Sequence, residues 1–339
     1  MARSVVTVDL AAIRHNARTL LQVLGGAELW AVVKADGYGH GAVDVGRAAL
    51  AAGATALCVA TVPEALVLRR AMADARILVM GPSAPDEIAA ARDASLEVAA
   101  VGGPLPEGVP VHLKLDTGMG RWGLSELPAP GRDVVGLMSH FASADSNEAF
   151  TELQLRRFLE ATDGHAHLTR HVANSAGAFR FPVSRLDAAR CGIALYGVSP
   201  FGDDGASLGL RPALRWRSEL SLVRLLASGE STGYGLRFVA REPTWVGLVP
   251  VGYADGFRRD LTGTHVLVGD ERCPVVGSVS MDVVAVALPA RMPVGTEVTL
   301  LGRGITAESH AAVAGTIGYE ILCGVNARPP RASREVVDG

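Results

Sequence analysis

Apolar positions along the first two-thirds of the chain fall into two alternating textures. Short aliphatic runs occur at 29–33, 56–59, 77–79, 97–101, 111–115 and 136–139, with another beginning near His171. Between them lie longer alanine- and leucine-rich stretches, at 10–24, 42–52, 63–72, 85–93 and 150–162, in which apolar residues recur with helical spacing. A strand that is apolar throughout suits a sheet covered on both faces, so the rhythm predicts βα units around a parallel sheet. A last unit over 187–196 brings the count close to eight and favours a closed (β/α)8 barrel of the TIM type over an open sheet. After Pro212 helical periodicity nearly disappears. Runs at 218–226, 244–248, 265–268 and 283–288, separated by Gly, Pro and Asp turns, predict a smaller, mainly antiparallel β domain. The expected division is a barrel over 9–208 and a β domain over 209–339, with the stretch around 202–209 as the connection and residues 1–8 adding a strand to the β domain.

Composition narrows the range of functions. With 339 residues, 49% hydrophobic and 20% charged, the chain can bury a large core and is not a disordered protein. A net charge of -3 and the lack of any Lys or Arg run give no field for a nucleic acid or a membrane surface, so a small molecule is the expected partner. Cys58, Cys191, Cys273 and Cys323 are widely spaced in apolar settings, which argues against a metal site or disulfides and for buried free thiols in a reducing compartment. No apolar run reaches spanning length, and MARSVVTVDL lacks the order of a signal peptide; a cytoplasmic location is expected.

Candidate chemistry gathers where the barrel strands should end, the rim on which such folds place their active sites. The segment AVVKADGYGHG (31–41) delivers Lys34 from an apolar strand into a glycine-rich loop, and burial would favour the neutral amine that a Schiff-base nucleophile needs. Lys114 to Arg121, Ser139 to Asp145, Asn174-Ser175 and Arg190-Cys191-Gly192-Ile193 follow later strands. Each has a plainer reading alone. A strand-end lysine is commonly a snorkelling surface residue, His140 a satisfied structural histidine, Arg190 an ion-pair partner and Asn174-Ser175 a helix cap. Tyr253, in a G-Y-x-D-G turn, could be a loop anchor. Their joint occurrence at strand ends favours a site.

Seven ordered segments carry a resemblance that runs almost end to end: AVVKADGYGHG (31–41), KLDTGMGRWG (114–123), SHFASAD (139–145), ANSAG (173–177), RCGIALYG (190–197), VGYADGFRR (251–259) and SVSMD (278–282). Through them the chain resembles the alanine racemases, enzymes that use pyridoxal 5'-phosphate. The resemblance implies interconversion of L- and D-alanine, supplying D-alanine for peptidoglycan precursors, in a homodimer whose subunits share active sites. It implies that Lys34 carries the cofactor and is the base for the D-isomer. It further implies that Tyr38, Asn174, Ser175, the backbone of Gly192 and Ile193, and Tyr319 hold the phosphate. His140 and Arg190 would complete the cofactor site, Arg190 facing the pyridine nitrogen and leaving it unprotonated because a guanidinium is a poor proton donor. Tyr253, from the β domain of the opposite subunit, would be the second base. Arg121 and the main-chain N–H of Met281 would bind the substrate carboxylate. Lys114 matches a lysine often carbamylated in the family, and Ser278 stands where many relatives have an arginine. No metal is implied. Other readings are a racemase for serine or of broad specificity, a non-catalytic pyridoxal-phosphate-binding homeostasis protein, and a fold-related decarboxylase; Arg190 opposes the decarboxylase, which needs an acidic partner for the ring nitrogen.

Overall fold

A computed structural model of the chain describes residues 3–339. Contacts divide it into two units, one built from 13–201 with 209–211 and the other from the residues up to 12, 202–208 and 212–339. The first strand, β1 (Ser4–Asp9), alternates buried and half-buried positions, as a strand with one face on a core must. Helix α1 (Leu10–Leu24) follows it.

The larger unit is the expected parallel barrel. Its strands are β2 (Glu28–Val32), β3 (Ala56–Val59), β4 (Ile77–Val79), β5 (Glu97–Ala100), β6 (Val111–Lys114), β7 (Val134–Met138), β8 (Thr169–His171) and β9 (Ala188–Cys191). Neighbours pair in parallel in the order β8-β7-β6-β5-β4-β3-β2-β9. The seam between β8 and β9 is bridged by Asp187 N–H to Arg170 O (3.1 Å) and Arg190 N–H to Ala173 O (3.0 Å). After β2 come a short turn, α2 (Lys34–Tyr38), and α3 (Ala42–Ala51); α4 (Val62–Ala71) and α5 (Pro85–Asp93) follow the next two strands. Helix α6 (Glu148–Ala161) follows β7, and α7 (Ser175–Arg180) follows β8. Loops alone connect β5 to β6 and β6 to β7, where Gly102-Gly103-Pro104 and Pro128-Ala129-Pro130-Gly131 interrupt any helix. The strand expected to begin near His171 instead ends there, because Arg190 and the seam take over the hydrogen bonding beyond it.

The second unit is a curled, mainly antiparallel sheet, as expected. It adds β10 (Leu214–Glu219), β11 (Leu222–Leu226), the short pair β12 (Ser231–Thr232) and β13 (Phe238–Val239), β14 (Thr244–Val249), β15 (His265–Val268), β16 (Glu271–Val276), β17 (Val284–Leu288), β18 (Glu297–Leu301) and β19 (Ala332–Val337). The nine-stranded order is β11-β14-β17-β16-β15-β18-β10-β1-β19, and only β1 and β19 pair in parallel. The run expected as one strand over 218–226 is two. Leu220 and Ser221 turn a corner between them, with Leu220 N–H donating to Thr296 O and Ser221 N–H to Leu248 O, so strands far apart in the sheet order are joined by two residues and the sheet must curl. Two helices, α8 (Ala307–Ala314) and α9 (Gly318–Gly324), also belong to this mainly antiparallel unit, where the sequence pattern had named only strands. They are short, and in α8 a run of small residues hides the helical period. Cys58, Cys191 and Cys273 are buried free thiols, but Cys323, in α9, is exposed. No helix among the described residues is long and apolar enough to cross a membrane.

Candidate active site

Lys34 is presented by an unusual piece of backbone. After it, Ala35, Asp36, Gly37 and Tyr38 have φ of 53°, 51°, 62° and 53°, a single left-handed turn. Although the loop is rich in glycine, three of these four residues are not glycine, and each L-residue held there costs roughly 1–2 kcal/mol. Such strain persists only where the surroundings hold it. Here Glu64 Oε1 accepts from Ala35 N–H (2.7 Å) and Asp36 Oδ1 accepts from Ala42 N–H (2.9 Å). The Tyr38 ring is buried against Tyr196, centroids 4.7 Å apart, and Tyr196 Oη donates to Val32 O (2.9 Å) at the end of β2.

Arg190, within β9, is 2% exposed. Its Nη1 reaches His171 Nδ1 (2.6 Å) and donates to His171 O (2.8 Å); Nη2 donates to Ser139 O (2.6 Å) and lies 3.2 Å from His140 Nδ1. These partners are carbonyl oxygens and imidazole nitrogens, not carboxylates, so the plain ion-pair reading does not describe it. Its Nε is buried with no acceptor among the described residues. Burial pushes the guanidinium down to about 10, which leaves it a cation at neutral pH.

The contact with His171 begins a chain through the barrel interior. Because a guanidinium only donates, His171 Nδ1 must accept and its Nε2 must carry the proton. That N–H faces His112 Nδ1 (2.9 Å), and His112 Nε2 in turn donates to Glu97 Oε2 (2.8 Å). Glu97 Oε1 accepts from Arg76 Nε (2.7 Å), so the bonds from Arg190 and from Arg76 converge on the Glu97 carboxylate. Burial holds both imidazoles below their ordinary range, reinforced by Arg190 at His171 and partly opposed by Glu97 at His112.

The rim is cationic. Burial, then the nearby Arg190 and Arg121, lowers Lys114 to about 8, with Lys34 adding to the effect and Asp116 opposing it. Lys114 Nζ lies 5.7 Å from the Trp122 ring centroid, and the exposed Arg121 lies 5.3 Å from the same ring. Desolvation, followed by Arg190, Lys114, Arg121 and Lys34, depresses His140 well below its ordinary value, so it is a neutral imidazole. Four cations focused on one rim favour an anionic ligand.

The remaining barrel residues converge on the end of β9. Asn174 caps α7, its Oδ1 accepting from Gly177 N–H (2.9 Å), which is the plain reading of that residue. Ser175 Oγ accepts from Gly192 N–H (3.1 Å) and is in reach of Ala194 N (3.5 Å). A Cβ on Gly192 would lie 2.4 Å from Tyr38 Oη, so only glycine lets the hydroxyl approach this backbone. Ile193, next in the chain, is fully buried.

The second unit holds the other expected residues, Tyr253 and Met281 on adjoining turns and Tyr319 on α9. Tyr253 N–H donates to Ser280 O (3.1 Å) and Ala254 N–H to Met281 O (3.1 Å), while Asp255, 1% exposed, accepts from Gly252 N–H (2.9 Å) and from Arg331. Met281 is 53% exposed, and Tyr319, in α9, is half-buried. Tyr234, which the motifs did not single out, borders the same segment through Ser278 Oγ donating to Tyr234 O (3.0 Å) and is 73% exposed against 43% for Tyr253. The Gly233-Tyr234-Gly235 triplet was the available signal, an aromatic raised on a tight turn. Glu64, His112 and His171 were likewise not singled out; single residues inside ordinary strand and helix patterns give no signal until the fold brings them together.

Residues 8–200 match the alanine racemase N-terminal domain and residues 213–333 the alanine racemase C-terminal domain. The alanine racemase of Beutenbergia cavernae is 44% identical, the alignment covering 97% of each chain. That of Symbiobacterium thermophilum is 41% identical over 96% of this chain and 95% of its own. The structure of alanine racemase from Streptomyces coelicolor A3(2) superposes with a TM-score of 0.91 at 37% identity, covering 99% of this chain and 98% of that one. The biosynthetic alanine racemase from Pseudomonas aeruginosa gives 0.90 at 37% identity over 99% and 100%. The chain belongs to the alanine racemase family, isomerases that interconvert L- and D-alanine.

Proposed function

We propose that the interconversion of L- and D-alanine by this chain runs on pyridoxal 5'-phosphate held at the barrel rim, with Lys34 as one base and a tyrosine from a second copy of the chain as the other. The residues present fit that cofactor. The buried Arg190 Nε–H has no acceptor among the described residues, and a ring nitrogen lone pair would satisfy it. Tyr38 Oη, Ser175 Oγ and the backbone at 192–194 make a narrow polar seat for a phosphate, and the four cations favour its charge. Asn174, through the amide nitrogen that capping leaves over, and Tyr319 would add donors. The bound cofactor supplies delocalisation of the charge left when the substrate loses its α-hydrogen.

The chain's own groups then divide the work. Lys34 would hold the cofactor, and its amine would move a proton at the substrate Cα on one face. Arg190, held by backbone carbonyls and by His171, would set a fixed cation beside the bound ring without giving up a proton. His140, neutral, accepts from Arg190 and adds no further charge. Arg121 and the main-chain N–H of Met281 orient the substrate carboxylate. For the opposite face the β unit offers two phenols. The resemblance points to Tyr253, but its backbone is tied down on both sides and its ring is less exposed than that of Tyr234. We assign the proton transfer to Tyr234, with Tyr253 beside it lining the approach to Met281.

Arg190 is the observation that carries this reading, a buried cation with no carboxylate partner and one unused donor. The test is incubation with D-alanine and L-alanine separately in deuterated water. Both isomers should lose their α-hydrogen and racemise. Tyr234→Phe should lower kcat by roughly 10²–10⁴-fold while D-alanine still exchanges its α-hydrogen through Lys34. Tyr253→Phe should cost less than about tenfold. A large loss in Tyr253→Phe with little effect in Tyr234→Phe would return the role to Tyr253, and a borohydride-fixed pyridoxyl adduct on a lysine other than Lys34 would overturn the whole assignment.

A further inference from the structure

We propose that Glu64 is a positioning residue for the reaction: its carboxylate clamps the strained left-handed turn that presents Lys34. The inference rests on Lys34 carrying the cofactor, but the geometry stands apart from it. Glu64 lies in the first turn of α4, where Thr61 is the N-cap, and its Oε2 accepts from Ala60 N–H (2.8 Å) and Thr61 N–H (3.2 Å). That oxygen alone completes the capping box. The other oxygen leaves its own helix altogether and accepts from Ala35 N–H at 2.7 Å, across 29 positions of sequence. Ala35 N–H belongs to the peptide that follows Lys34, so this bond fixes the plane from which the Lys34 Cα hangs.

The clamp acts where the backbone most needs one. Ala35 is the first of the four residues at positive φ, and neither it nor Asp36 is a glycine. An unrestrained chain would leave that basin. Asp36 closes the far end of the turn on Ala42, and the Tyr38 ring is buried; at the near end Gly37 N–H donates to Val33 O (2.9 Å) across Lys34, and Glu64 is the side chain that holds the Ala35 N–H. The carboxylate is itself fixed, because a helix start and the end of β3 hold its other oxygen. A bond from a charged acceptor to a backbone amide is among the stronger hydrogen bonds.

The test compares Glu64→Gln, which has only one oxygen to serve both sides, with Glu64→Asp, which keeps the charge but is too short to span from the cap to Ala35. Each is made with and without Ala35→Gly, which removes the strain at the turn. Two readouts are taken: amide hydrogen exchange across 35–41 in the cofactor-free protein, and the rate at which added pyridoxal phosphate gives the borohydride-fixed adduct on Lys34. Both Glu64 variants should raise exchange at 35–41 and slow adduct formation, each by about tenfold. Ala35→Gly should recover most of both losses, which no general loss of helix stability would allow. Unchanged exchange and adduct rates in both variants, or changes confined to 62–71, or no recovery with Ala35→Gly, would overturn the proposal. An adduct on another lysine in the unmodified protein would sink the cofactor assignment instead, and exchange at 35–41 would still decide the clamp.

Discussion

Room for a single side chain decides whether the interior chain from Arg190 to Arg76 can exist. His112 lies between β5 and β7, and on β7 it faces Gly136, where an added Cβ would lie 2.2 Å from Nδ1 and 2.5 Å from Cε1 of the imidazole. The same Cβ would meet Thr169 O at 3.0 Å, so the imidazole is the part that must move. Moving it breaks the bonds to His171 and Glu97 together. Gly136→Ala should therefore lower stability by about 1–3 kcal/mol, the usual range for forcing extra volume into a packed interior. Urea denaturation checks this, and a variant as stable as the parent would show that the barrel has slack at this layer. Nothing in the sequence around Gly136 marks it, since a glycine in an apolar run looks like an interruption until its neighbour across the sheet is known.

At the scale of elements, the two helices of the β unit show what a short segment can conceal. Thr306 begins α8 with a capping box to Ser309, and Ala307, Glu308, His310 and Ala311 are all buried. His310 packs edge-on to Phe257, centroids 5.6 Å apart, and burial pushes its pKa down to about 4, only partly opposed by a backbone hydrogen bond at His265. The sign of its contribution follows from the two states. Between about 4 and the ordinary 6.5 the unfolded chain binds a proton there that the folded chain refuses, so stability falls as pH drops through that window. The whole shift corresponds to roughly 3 kcal/mol. His310→Phe should flatten the acid limb of a plot of Tm against pH between those values, with little change above 6.5. An acid limb of unchanged slope would mean that His310 already titrates normally in the folded protein.

At the scale of the whole molecule, the proposed site divides the reaction between two copies of the chain. Lys34 belongs to the barrel unit and Tyr234 to the β unit, and the proposed site joins the former from one subunit to the latter from its partner. Lys34→Ala and Tyr234→Phe should each be nearly inactive. Coexpressed, they should form mixed dimers in which one site has both residues and the other has neither, so activity should return in proportion to the mixed-dimer fraction. Isolated mixed dimers that fold and load cofactor yet stay as inactive as the parents would contradict a shared site.

Periodicity along the chain was enough to determine the architecture: fully apolar strands alternating with helical stretches demand a parallel sheet buried on both faces, and the later turn-rich runs demand an antiparallel one. Strand ends then located Lys34, Lys114, His140, Asn174, Ser175 and Arg190 on one rim, because in a parallel barrel every strand points the same way. What the tertiary structure decided is everything that depends on partners distant in sequence. The Lys34 turn is left-handed at non-glycine residues because Glu64, Asp36 and the buried Tyr38 hold it, and propensity alone would have chosen otherwise. His171 and His112 became part of the site through bonds across three strands. The greater exposure of Tyr234 over Tyr253, which favours it as the second base, is likewise a product of how the β unit packs. Hydrophobic patterning is a local property and can be read along a chain; hydrogen-bond partners, strain and exposure belong to the packed state, where residues far apart in sequence share one environment.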